Sequence, residues 1–247
     1  MFWPVSVLAM TESTTIGSDR TQVRRQYADE SPLNARRSIW RGTPDGLQPQ
    51  DFALARIVEV KPSTVLEIGC GTGEFAAHLT AALPDATVTA TDQSARMVEL
   101  TLERGVQAEV VDATDLPFAD GSFDAVCAMW MLYHVPELDR TLSEVRRVLR
   151  PGGTFVAGTN GNAHTADLRA AAGLAPLISQ FSSENGEPSL RRHFEQVEAE
   201  HHATQAVADH AAATAYIASF APEAARTIEP YDGERTYTGA ATIFTAT

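Results

Sequence analysis

Cysteine is nearly absent from this chain. It holds two, Cys70 and Cys127, too few for a disulfide framework and in keeping with a reduced, cytoplasmic setting. No apolar run reaches the roughly 18 residues that mark a membrane span. Positive charge is scarce: 19 Lys and Arg stand against 32 Asp and Glu, a net charge of −13. The basic residues form no extended cluster, so the electrostatic footprint of nucleic-acid binding is missing. The short apolar run at 2–9 has no basic residue before it and does not read as a signal peptide. Met10 and the polar residues after it read as an alternative start, and residues 1–19 as a disordered leader. No repeat and no low-complexity tract appears. Ser/His/Asp and Cys/His nucleophile patterns are absent. His201 and His202 are adjacent, so on a strand they face opposite sides, and no cysteine or acid stands at ligand spacing beside them. A metal site is therefore not expected.

What is present begins at residue 64. Thr64 to Ile68 is apolar and β-branched, the pattern of a strand buried on both faces. It breaks into Gly69, Gly71 and Gly73, alternating with Cys70 and Thr72. Glu74 to Leu79 then opens a helix, with Phe75 and Leu79 spaced i, i+4. Strand, glycine turn and helix make the nucleotide-binding half of an open α/β sheet, where glycine lets backbone approach a ligand that a Cβ would repel. A dinucleotide fingerprint would read G-x-G-x-x-G. Here the third glycine comes one residue early, giving Glu67-x-Gly69-x-Gly71-x-Gly73.

The elements around this turn follow in order. Residues 49–60 read as a helix ended by Lys61-Pro62. A second strand over 87–91 ends in Asp92, about 20 residues past the glycines, where an acid holds a ribose diol through two hydroxyl hydrogen bonds. A third strand over 106–111 ends in Asp112. Asp120-Gly121 is a turn into a strand over 123–128, and Leu142, Val145 and Leu149 form the buried stripe of a helix over 137–149. Strand 154–157, helices at 163–172 and 209–219, a strand over 195–207 and an alternating strand over 236–245 complete the pattern. The last of these is expected antiparallel at the sheet edge.

The Glu67-to-Gly73 form resembles motif I of the class I S-adenosylmethionine (SAM) methyltransferases. The whole run 64–158 is similar to the small-molecule branch of that family that includes the quinone-biosynthesis C-methyltransferases. The resemblance implies a Rossmann-like α/β fold, a seven-stranded and mostly parallel sheet with helices on both faces and the last strand antiparallel. It implies one methyltransferase domain over 20–247, with an N-terminal cap at 20–48 and an inserted lid at 160–195. It implies SAM as cofactor and S-adenosylhomocysteine as product. Tyr27, Glu67, Gly69, Cys70, Gly71, Gly73, Asp92, Gln93, Met97, Asp112, Ala113 and Met129 are the cofactor-binding residues carried over from it. Glu67 is expected near the ammonium and Asp112 near the adenine amine. Trp130, Tyr133 and His134 follow the fourth strand, where the family places the transferable methyl, and are expected to bind the acceptor, with His134 as the candidate base. Met129-Trp130 stands where related sequences often carry Asn-His, so the polar role of those positions does not transfer. An indole face there would hold a planar acceptor instead. Arg36 and Arg37 read first as a solvated helix face, with pairing to a SAM or substrate carboxylate as the alternative. The partner is expected to be a small-molecule acceptor, aromatic or heterocyclic, with no nucleic acid and no membrane, the chain being a monomer or homodimer. Two other readings stay open: an NAD- or nucleotide-dependent oxidoreductase on a similar sheet, and a SAM-binding protein that transfers no methyl.

Overall fold

The computed structural model describes residues 31–247. The expected leader and Tyr27 lie outside them. Two short elements come first, α1 (Ser31–Ser38) and β1 (Trp40–Gly42). Helix α2 (Pro49–Val60) starts with Pro at its first turn, where the missing N–H costs nothing, and the Asp51 carboxylate accepts from the Gln48 N–H at 2.7 Å. It ends at Lys61 in the left-handed conformation, φ 51°, ahead of Pro62.

The nucleotide-binding half follows as β2 (Thr64–Ile68), α3 (Glu74–Ala82), β3 (Thr87–Asp92), α4 (Ala95–Glu103) and β4 (Gln107–Val110). Then come β5 (Phe123–Met129), a single 3₁₀ turn at Leu132–His134, α5 (Leu138–Val148) and β6 (Leu149–Asn160). The chain finishes with α6 (Ala166–Ala171), α7 (Gly186–Leu190), β7 (Val197–Ala208), α8 (His210–Ala218), α9 (Pro222–Ala225) and β8 (Arg235–Ala246).

One sheet runs β1-β7-β8-β6-β5-β2-β3-β4. The pairs β2–β3, β2–β5, β3–β4 and β5–β6 are parallel, while β8 is antiparallel to both its neighbours and β1 is antiparallel to β7. Alternate residues of β2 and β5 feed two cores. Leu66, Ile68, Val126 and Ala128 face the cluster that holds α5. Val65, Ala125, Cys127 and Met129 face the cluster that holds α2 and α3. A strand covered on both sides has no solvent face to alternate with, and that explains the continuous apolar run at 64–68. A third cluster, around Ile39, Leu168, Tyr216, Ile217 and Ile228, binds β1, α6, α8 and α9 to the β7 end of the sheet.

The α/β class and the antiparallel last strand match the expectation, and two details correct it. The described residues form eight strands rather than seven, because Trp40–Gly42 adds a short one. Strand β8 is not at the edge. It pairs with β6 along one edge and β7 along the other, and Ile243 and Phe244 are buried on opposite faces. The expected lid at 160–195 also divides. Phe181, Leu190 and Phe194 belong to the main core, and only Asn160 and His164 of that range reach the cavity described next. No helix among the described residues is long and apolar enough to cross a membrane.

Candidate active site

Strand order reverses between β2 and β5, whose crossovers leave in opposite directions, and a crevice opens at their carboxyl ends. It holds a cavity of about 470 Å³, within the range of small-molecule and cofactor sites.

One end is made by the β2–α3 turn. Gly69, Gly71 and Gly73 have φ of +72°, +54° and +75°, a region L side chains rarely enter. The Gly69 and Cys70 N–H groups donate to the Thr91 carbonyl at 2.7 and 2.9 Å, tying the turn to β3. A Cβ on Gly69 would sit 2.7 Å from Met131 Cγ. Asp92 closes the loop. Its Oδ2 accepts from Gly71 N–H at 3.0 Å and its Oδ1 from Ser94 N–H at 2.9 Å. Burial raises its pKa and the backbone donors pull the other way. Each oxygen retains a lone pair for a hydroxyl.

Glu67 lies beneath the turn, 1% exposed. Its Oε2 has no hydrogen-bond partner among the described residues. Burial, then the neighbouring Asp92 charge, pushes its pKa up to about 8, against the pull of Arg37 and of the Ala76 N–H. An orphaned buried carboxylate in a cavity wall is costly unless a cation completes it. A bound ammonium would do so. The donor set therefore fits a ligand carrying a ribose and an amino-acid tail. On the next strand's exit, Asp112 Oδ1 accepts from the N–H and Oγ1 of Thr114, at 3.0 and 2.8 Å.

The wall contains twelve of the residues expected from sequence: Glu67, Gly69, Cys70, Gly71, Asp92, Gln93, Asp112, Ala113, Met129, Trp130, Tyr133 and His134. Two expected residues do not reach it. Gly73 faces α4, where a Cβ would meet Thr101 Oγ1 at 2.6 Å, so its glycine serves helix packing. Met97 is wholly buried on the inner side of α4. Arg36 and Arg37, read from sequence as a solvated face, line the cavity instead. Arg37 Nη1 donates to Thr72 Oγ1 at 3.1 Å and Glu74 Oε2 at 2.6 Å, latching α1 onto the glycine turn.

The other end is aromatic. Trp130 has φ 55°, unusual for a bulky residue and a strain that surrounding contacts must hold. Its N–H donates to the Gly158 carbonyl at 2.8 Å and its Nε1–H to Asn160 Oδ1 at 2.7 Å. Tyr133 and His134 meet edge to face, ring centres 4.5 Å apart. Trp40, Asn160, His164, Thr204 and Tyr216 complete this end. From sequence, Trp40 fell only within the expected cap and Asn160 and His164 only within the expected lid, while Thr204 and Tyr216 had no site role. Among the described residues no group of three or more His, Cys, Asp or Glu is arranged to hold a metal.

Comparison with known proteins agrees with this geometry. Residues 66–157 match the family model described as a methyltransferase domain. The ubiquinone/menaquinone biosynthesis C-methyltransferase of Desulfotalea psychrophila is 38% identical over 109 residues, 42% of this chain and 44% of that protein. The 27-O-demethylrifamycin SV methyltransferase of Amycolatopsis mediterranei is 38% identical over 102 residues, 38% of this chain and 37% of that one. The chain thus spans less than half the length of these relatives. Among solved structures, the [4+2]-cyclase SpnF superposes with a TM-score of 0.61 at 20% identity, covering 94% of this chain and 97% of its own. The phosphoethanolamine N-methyltransferase 2 of Haemonchus contortus, solved with phosphomonomethylethanolamine and S-adenosylhomocysteine, gives a TM-score of 0.59 at 18% identity, covering 92% of this chain and 59% of its own. At these identities the structural likeness establishes the fold.

Proposed function

We propose that this chain, whose residues 66–157 match the model of a methyltransferase domain, is a class I SAM-dependent methyltransferase that transfers the methyl group of SAM to a small aromatic or heterocyclic acceptor of the natural-product kind. One observation carries the reading. The orphaned carboxylate of Glu67 and the glycine turn open into the same cavity as an aromatic chamber. A polar, charge-complementary end and a flat apolar end in one crevice suit a charged cofactor and a planar acceptor. The rifamycin relative supports the natural-product class.

SAM, when bound, supplies an activated methyl on a sulfonium. The protein's part is then chiefly positioning. Glu67 would pair with the ammonium, Asp92 would accept from the ribose hydroxyls and Asp112 from the adenine amine. Gly69, Cys70 and Gly71 would let backbone close on the amino-acid tail, with Gln93, Ala113 and Met129 as flanking wall. Trp130 and Tyr133 would present ring faces to the acceptor. Cap residues 36–48 and the segment at Asn160 and His164 would exclude water from the displacement. Proton removal, where the acceptor needs it, falls to an imidazole of the wall. His134 is the one marked by sequence and His164 the one added by the fold.

Calorimetry with SAM and NAD tests the cofactor. Tight binding of NAD and none of SAM would overturn the proposal in favour of an oxidoreductase. Single-turnover transfer of labelled methyl to planar hydroxylated and heterocyclic acceptors tests the reaction. SAM binding with no transfer to any of them would leave a SAM-binding protein of other activity.

A further inference from the structure

The aromatic chamber beyond Trp130 is assembled around an imidazole. His164 sits in the turn between β6 and α6, 8% exposed, and lines the cavity. Its ring stacks on Trp40 with centroids 4.4 Å apart and planes 27° from parallel. Trp40 in turn lies on bare backbone of β8. A Cβ on Gly239 would come within 2.5 Å of Trp40 Cζ3, so the indole can lie there only because residue 239 is glycine. Tyr216 braces the indole edge-on, centroids 6.5 Å apart.

The imidazole's other contact is to backbone. His164 Nδ1 is 3.1 Å from the Ala240 carbonyl and 3.4 Å from the Ala240 N–H. With Nδ1 as the protonated nitrogen, the shorter contact is a hydrogen bond donated to the carbonyl. Nε2 is then unprotonated and makes no hydrogen bond to the described residues. It is not sealed off among the buried unpartnered atoms, so it opens to the cavity that His164 lines. A held ring with one bare nitrogen facing a cavity is arranged to take a proton.

We propose that His164 is the group that takes the acceptor's proton, and that the acceptor atom is therefore a hydroxyl oxygen on a planar ring lodged between Trp40 and Trp130. The proposal rests on the SAM-dependent reading above. In the step, the acceptor O–H gives its proton to His164 Nε2. The oxygen forms a bond to the methyl carbon as the carbon–sulfur bond breaks. Sulfur keeps that electron pair and leaves as a neutral thioether, and the imidazolium returns its proton to water.

Burial, reinforced by the Arg169 charge and opposed by the Ala240 carbonyl, lowers the His164 pKa to about 4. The free ring is thus neutral and only a weak base, and it holds a proton by pairing with the oxyanion formed beside it. Arg169 on α6 is the charge that acts on it. Burial raises the pKa of the neighbouring Tyr216 on α8, against the Thr165 hydroxyl and the Arg36 and Arg169 charges; those two charges act in the sense that favours an oxyanion. Once the acceptor oxygen is anionic, the imidazolium gains a counter-charge that offsets its burial.

The test uses the full chain loaded with S-adenosylhomocysteine and 4-nitrocatechol, whose phenolate absorbs apart from its phenol. Below the probe's own pKa, the wild type should bind it as the phenolate, and NMR of labelled histidine should show His164 turning to imidazolium. His164→Gln should bind the probe as the phenol and keep wild-type affinity for S-adenosylhomocysteine. His164→Asn retains a donor toward Ala240 and serves if the first variant fails to fold. With labelled SAM, kcat should fall about 100-fold or more, the usual share of general-base catalysis, with KM unchanged. Bound phenolate in both variants, or a wild type that binds S-adenosylhomocysteine but not nitrocatechol, would overturn the proposal. A wild type that binds no S-adenosylhomocysteine would overturn the underlying cofactor reading instead.

Discussion

The two ends of the cavity are built in opposite ways. At the cofactor end most of the lining belongs to one continuous region of parallel strands and their crossovers. Glu67 to Gly71, Asp92-Gln93, Asp112-Ala113 and Met129 each stand at or just past the carboxyl end of a parallel strand. Beyond Trp130 and Tyr133, the acceptor end draws Trp40, Asn160 with His164, Thr204, Tyr216 and Ala241 from five separate places in the chain. Strand topology alone positions the first group. The second depends on how α1, α6 and α8 settle against the β7–β8 half of the sheet, around the third apolar cluster. A fold can therefore hold its cofactor site constant while the chamber beside it changes.

The comparison can be broken from either end. The largest effect is expected from Gly71→Val. A β-branched residue at φ +54° is strained by about 1–3 kcal/mol and fills the approach to the ligand, so calorimetry should detect no SAM binding. Retained affinity would show that the turn is not the cofactor's seat.

Glu67→Gln comes next, and its sign depends on pH. The Glu67 pKa is about 8 in the folded chain against 4.5 for the free side chain. Because the folded state holds the proton more tightly, Glu67 contributes stability below about 4.5 that is lost as pH rises through 8. The glutamine variant should melt higher than wild type above pH 8, by on the order of a few kcal/mol, with the gap closing in acid. It should also bind SAM more weakly. In the wild type, SAM binding near neutral pH should release a proton, read as a dependence of calorimetric heat on buffer ionisation enthalpy. No release would separate Glu67 from the ammonium.

Asp92→Ala should weaken SAM by roughly 1.5–3 kcal/mol, the range for a hydrogen bond to a charged group. Trp130→Ala should instead lower acceptor affinity by about 0.5–2 kcal/mol with SAM affinity kept, while Trp130→Phe keeps turnover. If Trp130→Ala weakened SAM more than acceptor, the division between the two ends would fail. The smallest effect belongs to the latch between them. The Arg37–Glu74 pair is 37% and 43% exposed, so Arg37→Ala should shift the melting point by less than about 1 kcal/mol would. Its more informative readout is SAM dissociation, which should quicken as α1 loosens.

The cofactor half was readable from local pattern because each of its signals is local. Val65, Leu66 and Ile68 had to be continuous, since both sheet faces are covered there. Gly69 and Gly71 had to be glycine at positive φ, and Asp92 had to end the next strand. None of this needs knowledge of a distant residue. Gly73 shows the limit: its motif position is shared with the ligand-facing glycines, but Thr101 of α4 is what forbids a Cβ there.

The rest was decided by partners far off in sequence. The last strand lies in the interior because its backbone pairs with both β6 and β7, and an alternating pattern cannot reveal how many neighbours a strand will have. Arg36 and Arg37 look like any exposed helical pair until α1 folds back over the glycine turn. His164 carries no motif at all. It becomes chemically distinct only when Gly239 leaves room for Trp40, Trp40 stacks on the imidazole and Ala240 occupies one nitrogen. A backbone turn follows from steric rules within a few residues of chain, whereas a chamber wall is a set of contacts across the fold, and only packing brings those side chains into one place.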